Sequence, residues 1–157
     1  MATVHLMCGF LGAGKTTTAK KLAVQYNAVR LSNDDIMRAF YGRTPEEFDK
    51  RYQIADAFVW DLAEQIVSAG ASVILDYGFW TKLSRQKAVE RAKVFCQNVR
   101  FHCVECDFET ARKRALNRTA TDDAALYIDE SFFDAMKSRF EPLTPEEGFD
   151  VVYYRNI

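Results

Sequence analysis

The chain has 157 residues and a formal net charge of −1, because 21 lysines and arginines nearly balance 22 aspartates and glutamates. This length favours one domain over residues 1–157, without a separate regulatory domain. The balanced charge argues against a broad nucleic-acid surface. No apolar run approaches the roughly 20 residues of a membrane helix, and no basic, apolar leader precedes the first strand, so we expect a cytoplasmic protein.

The first predicted strand covers residues 3–8 and leads into Gly9–Thr16, whose spacing is that of a phosphate-binding loop. In such loops, glycines let successive main-chain N–H groups point toward one centre, the lysine adds a cation and the threonine hydroxyl binds Mg²⁺. An apolar stripe over residues 16–26 predicts a helix, whose N-terminus favours bound phosphate. We therefore expect a polyphosphate to contact Gly9, Gly12, Ala13, Gly14, Lys15, Thr16 and Thr17.

Strands and helices alternate along the rest of the chain. Further strands are predicted at residues 28–32, 71–75, 100–105 and 150–155. The longest intervening helix should begin with a capping box of Thr44 and Glu47 and end at Gly70. This alternation predicts a three-layer α/β fold with a parallel sheet of about five strands.

Carboxylates follow two of the predicted strands, at the sheet edge where open α/β folds bind ligands. Asp34 and Asp35 follow the second strand, and Asp76 follows the third. Phosphoryl transfer usually needs a carboxylate to accept the proton of the attacking hydroxyl, and we expect Asp34, or else Asp35, in that role, while either could cap the next helix. Asp76 is expected beside Thr16 and Mg²⁺, the alternative being an ordinary turn residue.

Arginines and aromatic residues provide further candidates. Arg114 and Arg118 lie four positions apart on a predicted helix, so both would cover the triphosphate and stabilise charge during transfer. Arg112 is expected on a solvated face. Four residues are weaker candidates for binding the acceptor, because surface ion pairs or packing explain them equally well: Arg38, Phe79, Trp80 and Arg85.

Histidines and cysteines are expected to be structural. His5 and His102 lie inside predicted strands. Cys103 and Cys106 have the spacing of some metal or redox sites, but three positions apart along an extended chain their side chains would point to opposite faces, which opposes joint ligation of a metal. With Cys8 and Cys96, they are predicted to be free thiols.

The combination of Gly9–Thr16, Leu31–Asp35, Val73–Arg85 and Arg114–Arg118 resembles small P-loop kinases. This group includes polynucleotide kinases, zeta toxins, chloramphenicol phosphotransferases and AAA-family ATP-binding proteins. The resemblance covers most of the chain and implies a P-loop NTPase fold with ATP and Mg²⁺ as cofactors. It also implies Lys15 on the β- and γ-phosphates, Asp34 as the base and an arginine-bearing lid at about residues 112–128.

The resemblance leaves the acceptor open. Polynucleotide kinases carry an arginine three positions after the base, whereas Met37 stands three after Asp34, and Arg38 stands three after Asp35. The segment 140–147 is similar to uncharacterised members of the group, which favours γ-phosphoryl transfer from ATP to a hydroxyl of a small molecule. The alternatives are a polynucleotide 5′-hydroxyl kinase, an NTPase or nucleotide-dependent binding module, and a homologue that binds nucleotide without catalysis.

Overall fold

The computed structural model describes residues 1–123 and 125–155. Within these residues, one parallel sheet has the strand order β2-β3-β1-β4-β5. The strands are β1 (Val4–Cys8), β2 (Val29–Leu31), β3 (Val73–Leu75), β4 (Val99–Glu105) and β5 (Val151–Arg155). The helices are α1 (Lys15–Gln25), α2 (Asn33–Tyr41), α3 (Phe48–Ser68), α4 (Lys82–Lys93), α5 (Phe108–Thr121) and α6 (Glu130–Lys137). The predicted α/β fold with a parallel sheet is confirmed.

Helices cover both faces of the sheet. On one face, alternate residues of β1 and β3 pack against Val59 and Trp60 of α3 and Ala88 of α4. On the opposite face, Met7 and other strand residues pack against Leu22 of α1. Because both faces are buried, the central strands are apolar along nearly their whole length. Among the described residues, no helix has both the length and the apolar character needed to cross a membrane.

An aromatic cluster connects the segment after β1 to the C-terminal helices. Phe10 is only 4% exposed. Its ring centroid lies 5.1–5.4 Å from those of Trp80, Phe108, Phe133 and Phe140. Contacts at these distances favour tilted and edge-to-face aromatic pairs. The cluster therefore holds residue 10 against elements that come about a hundred residues later.

The predicted capping box at the start of α3 is wrong. Glu47 has a left-handed backbone with φ of +47°, and α3 begins one residue later. The preceding segment is engaged elsewhere, since Arg43 Nη2 donates to the carbonyl of Thr119 at 2.7 Å and the Tyr127 N–H donates to the Arg43 carbonyl at 3.0 Å. These long-range contacts override the local capping preference. By contrast, Asp107 caps α5, accepting the Thr110 N–H at 2.8 Å.

The cysteines are free thiols in the part of the chain that the structure describes, as predicted. Cys8 and Cys103 are register partners on β1 and β4, and both are buried. Cys96 is also buried, whereas Cys106 lies just beyond β4 and is partly exposed.

A chain of polar rings crosses the sheet on the face that packs against α1. His5 Nδ1 and His102 Nε2 are 2.9 Å apart, and His102 Nδ1 lies 2.9 Å from the Tyr154 hydroxyl. His5 also stacks on Tyr26, with ring centroids 4.6 Å apart. Burial lowers the pKa of both histidines to about 4. These contacts support the predicted structural role of the two histidines.

The buried histidines should make stability fall with acidification. An unfolded histidine binds its proton near pH 6.5, whereas His5 and His102 do so only near pH 4. The unfolded state therefore binds more protons in this window, and the free energy of unfolding should fall by about 1.4 kcal/mol per pH unit per histidine. Urea titrations between pH 7 and 4.5 measure this slope. His5→Gln, which cannot titrate, should reduce it, and an unchanged slope would contradict this assignment.

Candidate active site

Strand pairing brings the ends of β1, β2 and β3 together at the carboxyl edge of the sheet. Leu75 is the register partner of Leu6 on one side and of Leu31 on the other. The glycine loop after β1, Asp76 after β3 and the start of α2 after β2 consequently lie beside one another. Groups separated by up to about seventy residues in sequence thus form one site.

The glycine loop packs tightly against β4 and α5. A Cβ on Gly9, whose φ is +151°, would lie 2.6 Å from the Val104 carbonyl oxygen. A Cβ on Gly12, whose φ is +75°, would overlap the Ala111 carbonyl oxygen. Both positions therefore require glycine for backbone conformation and for space. The loop then runs directly into α1, the geometry that directs main-chain N–H groups toward an anion.

Lys15 lies at the first position of α1 and folds back over the loop. Its Nζ donates to the Phe10 carbonyl at 2.7 Å, and the Ala13 N–H donates to the same oxygen at 3.2 Å. Burial lowers the pKa of Lys15, while the nearby carboxylates of Asp76 and Asp34 oppose that shift. The ammonium group is therefore held between the loop and the acidic residues.

Arg30, which the sequence analysis did not identify, bridges two of the predicted acids. Its Nε and Nη2 donate to Asp76 Oδ2 at 2.8 and 2.6 Å, and its Nη1 donates to Asp35 Oδ2 at 2.8 Å. Arg38 donates to the other oxygen of Asp35. The Asp76 side chain is only 2% exposed, so this charged partner satisfies a buried carboxylate. The sequence does contain one signal that could have identified Arg30: it is a basic residue inside a short predicted strand, a few positions before an acidic pair.

Asp34 and Asp35 have contrasting environments. Although burial works in the opposite direction, Arg30 and Arg38 hold the pKa of Asp35 below its usual range. Asp34 is accessible to solvent, and its carboxylate has no hydrogen-bond partner among the described residues. The surrounding protein nevertheless limits hydration of its carboxylate, which raises its pKa, while Lys15 and Arg118 partly compensate. Neither acid caps α2, because Ser32 Oγ accepts the Asp35 N–H at 3.2 Å.

The three arginines of α5 have different surroundings. Arg118 lies close enough to Lys15 and Asp34 for its charge to affect both. Arg114 Nη1 lies 3.8 Å from Cys106 Sγ, beyond the end of β4. Arg112 forms ion pairs with Glu130 and Asp134 of α6, at 3.2 and 3.8 Å. The structure therefore associates Arg118 with the loop and acids, and Arg112 with helix packing.

The weak acceptor candidates do not form a common surface. Arg85 is fully buried, and its guanidinium group binds Glu147 and main-chain carbonyls, so the structure contradicts its expected acceptor role. Phe79 stacks on Tyr77, with centroids 5.2 Å apart, and Trp80 packs on Phe10. These two aromatic side chains therefore pack against other residues of the protein, which is the alternative to binding the acceptor. Arg38 remains at the site through its ion pair with Asp35.

Comparisons with known proteins agree with this geometry. A family model described as an AAA domain matches residues 4–143. The chain belongs to this family. A search of curated proteins gives no match.

Similar solved structures include three that have the same fold. Kti12 from Chaetomium thermophilum, in complex with ADP-AlF3, has 18% identity and a TM-score of 0.76, covering 98% of this chain and 88% of that chain. A gluconokinase from Sinorhizobium meliloti 1021 has 14% identity and a TM-score of 0.65, covering 98% and 82%. A chain of the Pnkp1/Rnl/Hen1 RNA repair complex has 19% identity and a TM-score of 0.70, covering 88% and 43%. The predicted resemblance to the P-loop kinase group is confirmed.

Replacing Arg30 should destabilise the protein far more than replacing a surface arginine. Arg30→Met would leave the buried carboxylate of Asp76 without its charged partner, at a cost of about 3 kcal/mol. Arg100→Met is the matched control, because Arg100 also lies on a strand but pairs with Asp150 at an exposed position. Its loss should cost less than about 1 kcal/mol. Urea unfolding of both variants measures the difference, and equal losses would argue against the bridging role.

Proposed function

We propose that the protein is a cytoplasmic kinase that transfers the γ-phosphoryl group of ATP to a hydroxyl group of a small molecule. The observation that carries this proposal is the position of Asp34. Its carboxylate has no hydrogen-bond partner within the described residues and lies in the electrostatic range of Lys15 and Arg118. A proton acceptor beside a phosphate-binding loop and two cations is the arrangement that phosphoryl transfer requires.

In this proposal, different residues bind the phosphates and accept the proton. The N–H groups of the loop and the ammonium group of Lys15 bind the β- and γ-phosphates, with Arg114 and Arg118 covering them as a lid. The acceptor oxygen forms a bond to the γ-phosphorus while the bond from that phosphorus to the bridging oxygen breaks. Asp34 takes the proton of the acceptor hydroxyl, so the products are ADP and a phosphate monoester. Its raised pKa makes it a stronger base than an ordinary carboxylate.

Thr16 and Asp76 are the residues that would hold Mg²⁺. Hydroxyl and carboxylate oxygens are the protein ligands that this ion prefers. Arg30 occupies Asp76 Oδ2, whereas Oδ1 accepts no hydrogen bond from the described residues, so one oxygen remains for the ion or for its bound water. When bound, Mg²⁺ would neutralise charge on the β- and γ-phosphates.

The charges around the acids favour a small neutral acceptor over a polynucleotide. Phosphates of a nucleic acid need available guanidinium or ammonium groups. The arginines near this edge already have protein partners, through ion pairs or an aromatic ring: Arg30 on β2, Arg38 on α2, Arg43 between α2 and α3, and Arg51 on α3. A hydroxyl compound without phosphate would bind here without displacing those contacts.

Replacing Asp34 should separate nucleotide binding from transfer. Asp34→Asn should reduce kcat by about 10²-fold or more, because the proton acceptor is lost, and should leave nucleotide affinity nearly unchanged. Asp35→Asn is the matched control: it is adjacent and isosteric, but its carboxylate is paired with Arg30 and Arg38, so kcat should fall less. The measurements are transfer of labelled γ-phosphate to a panel of hydroxylated metabolites, with 5′-hydroxyl oligonucleotides as a second arm, and calorimetry with Mg-nucleotide.

The panel also distinguishes the alternatives. Release of ADP that a hydroxylated metabolite stimulates supports the proposed kinase, whereas stimulation by oligonucleotides alone supports a polynucleotide kinase. ADP release that no acceptor changes supports an NTPase switch. Full turnover by Asp34→Asn would remove Asp34 from the mechanism.

The rate of transfer should fall on acidification, because Asp34 must be deprotonated to accept a proton. Its raised pKa places this decline above the usual carboxyl range. Lys15 and Arg118 face Asp34 and lower its pKa, whereas Asp76 and Asp35 raise it. Arg118→Met should therefore move the acid limb of the pH-rate profile to higher pH. Arg112→Met, on the same helix but paired with α6, should leave the limb in place, and equal profiles for the two variants would contradict this assignment.

A further inference from the structure

Residues 78–80 hold the first residue of the glycine loop from both sides. The Gly9 N–H donates to the Gly78 carbonyl at 3.1 Å. The Gly9 carbonyl accepts a hydrogen bond from Trp80 Nε1 at 3.2 Å. Both main-chain polar groups of Gly9 are thus bound to a segment that follows the neighbouring strand. These two hydrogen bonds hold the peptide planes on either side of the Gly9 Cα, where the loop begins.

The holding segment has an unfavourable backbone conformation that its surroundings stabilise. Phe79 has φ of +45°, which is rare for a residue with a bulky side chain. Its carbonyl accepts from Arg85 Nη1 at 2.9 Å, and Cys8 Sγ lies 3.7 Å away as a weak donor. Strained residues of this kind persist only where neighbouring groups hold them, and they occur preferentially at functional sites.

Arg85 connects this segment to the C-terminal part of the chain. Its Nη1 also donates to the Glu141 carbonyl at 2.9 Å, and its Nε binds Glu147 Oε1 at 2.7 Å. The Glu141 N–H in turn donates to the Trp80 carbonyl at 2.7 Å. Trp80 is thereby held at its main chain by the C-terminal segment, while its indole N–H remains directed at Gly9.

We propose that Trp80 is a positioning residue for the phosphate loop, and that its indole hydrogen bond to Gly9 increases affinity for nucleotide. The proposal rests on the nucleotide binding included in the proposed function, but it does not depend on the acceptor or on Asp34. Gly9 has φ of +151° and no side chain of its own to fix it, so an external hydrogen bond limits the orientations of its peptide. A loop ordered in advance loses less conformational freedom when the phosphates bind.

Two variants remove the indole contact in different ways. Trp80→Phe keeps an aromatic ring against Phe10 but lacks the N–H donor. Gly78→Ala keeps Trp80 but places a methyl group where the indole nitrogen lies. Each should weaken binding of a non-hydrolysable Mg-ATP analogue by about threefold to tenfold, the effect of one neutral hydrogen bond. Trp60→Phe is the matched control, since Trp60 packs on Phe95 and Arg91 in the core, away from the loop.

Calorimetry and thermal unfolding distinguish positioning from general destabilisation. Trp60→Phe should lower the melting temperature at least as much as Trp80→Phe while leaving the dissociation constant within about twofold of that of the unmodified protein. If Trp80→Phe and Gly78→Ala bind the analogue as tightly as Trp60→Phe does, the positioning role is wrong. If the unmodified protein binds no nucleotide, this inference and the proposed function both fall. Binding without transfer to any acceptor would overturn only the kinase proposal.

Fluorescence provides a second measurement that a folding defect would not reproduce. The chain has two tryptophans, so Trp60→Phe leaves Trp80 as the only indole. Nucleotide binding should then change the emission of Trp80, because its hydrogen-bond partner belongs to the loop. In Trp80→Phe, the emission of Trp60 should stay constant. Calorimetric binding to Trp60→Phe with no change in emission would overturn the proposed coupling between the loop and the indole.

Discussion

The pairing of β3 with both β1 and β2 is the constraint on which the site depends. A parallel sheet places the carboxyl ends of all its strands at one edge, and covering helices are needed to bring each strand back in the same direction. The register Leu6–Leu75–Leu31 sets the loop, Asp76 and α2 at the same height. A slip of one residue would move Asp76 by about 3.3 Å and turn its side chain to the opposite face. The buried apolar faces fix this register, and the register in turn decides which polar residues meet at the edge.

Arg30 gives the clustered acids different electrostatic environments. Asp34, Asp35 and Asp76 would repel one another if all were ionised without a cation between them. Arg30 pairs with Asp35 and Asp76, while Asp34 is left to the charges of Lys15 and Arg118. The same network therefore lowers the pKa of Asp35 and leaves that of Asp34 raised. Arg30, together with Arg38, thus separates an ion-paired acid from an acid available for proton transfer.

The features that depend on local spacing could be predicted from sequence, and those that depend on distant partners could not. Gly9–Thr16 is a local motif, and the apolar runs identified the strands before their order was known. The capping box at Thr44 failed because Arg43 is held by residues of α5 and of the segment after it. The sequence predicts that Arg85 binds the acceptor or forms a surface ion pair, because its main charged partner, Glu147, stands 62 positions away and gives no local signal. In each failure a tertiary contact outweighed a valid local preference.

The glycine loop needs external support because the residues that let it surround an anion also make it flexible. Glycine has the largest backbone entropy to lose, and Gly9 has no side chain that could anchor the start of the loop. Here Phe10 anchors one side in the aromatic cluster, and the segment after β3 binds the peptide groups of Gly9 on the other. Both anchors lead to residues near 140, through Phe140 and through Glu141. Local unfolding of that C-terminal segment would remove the Phe140 contact and the Glu141 hydrogen bond that holds Trp80, so the order of the loop depends in part on the segment around residue 140.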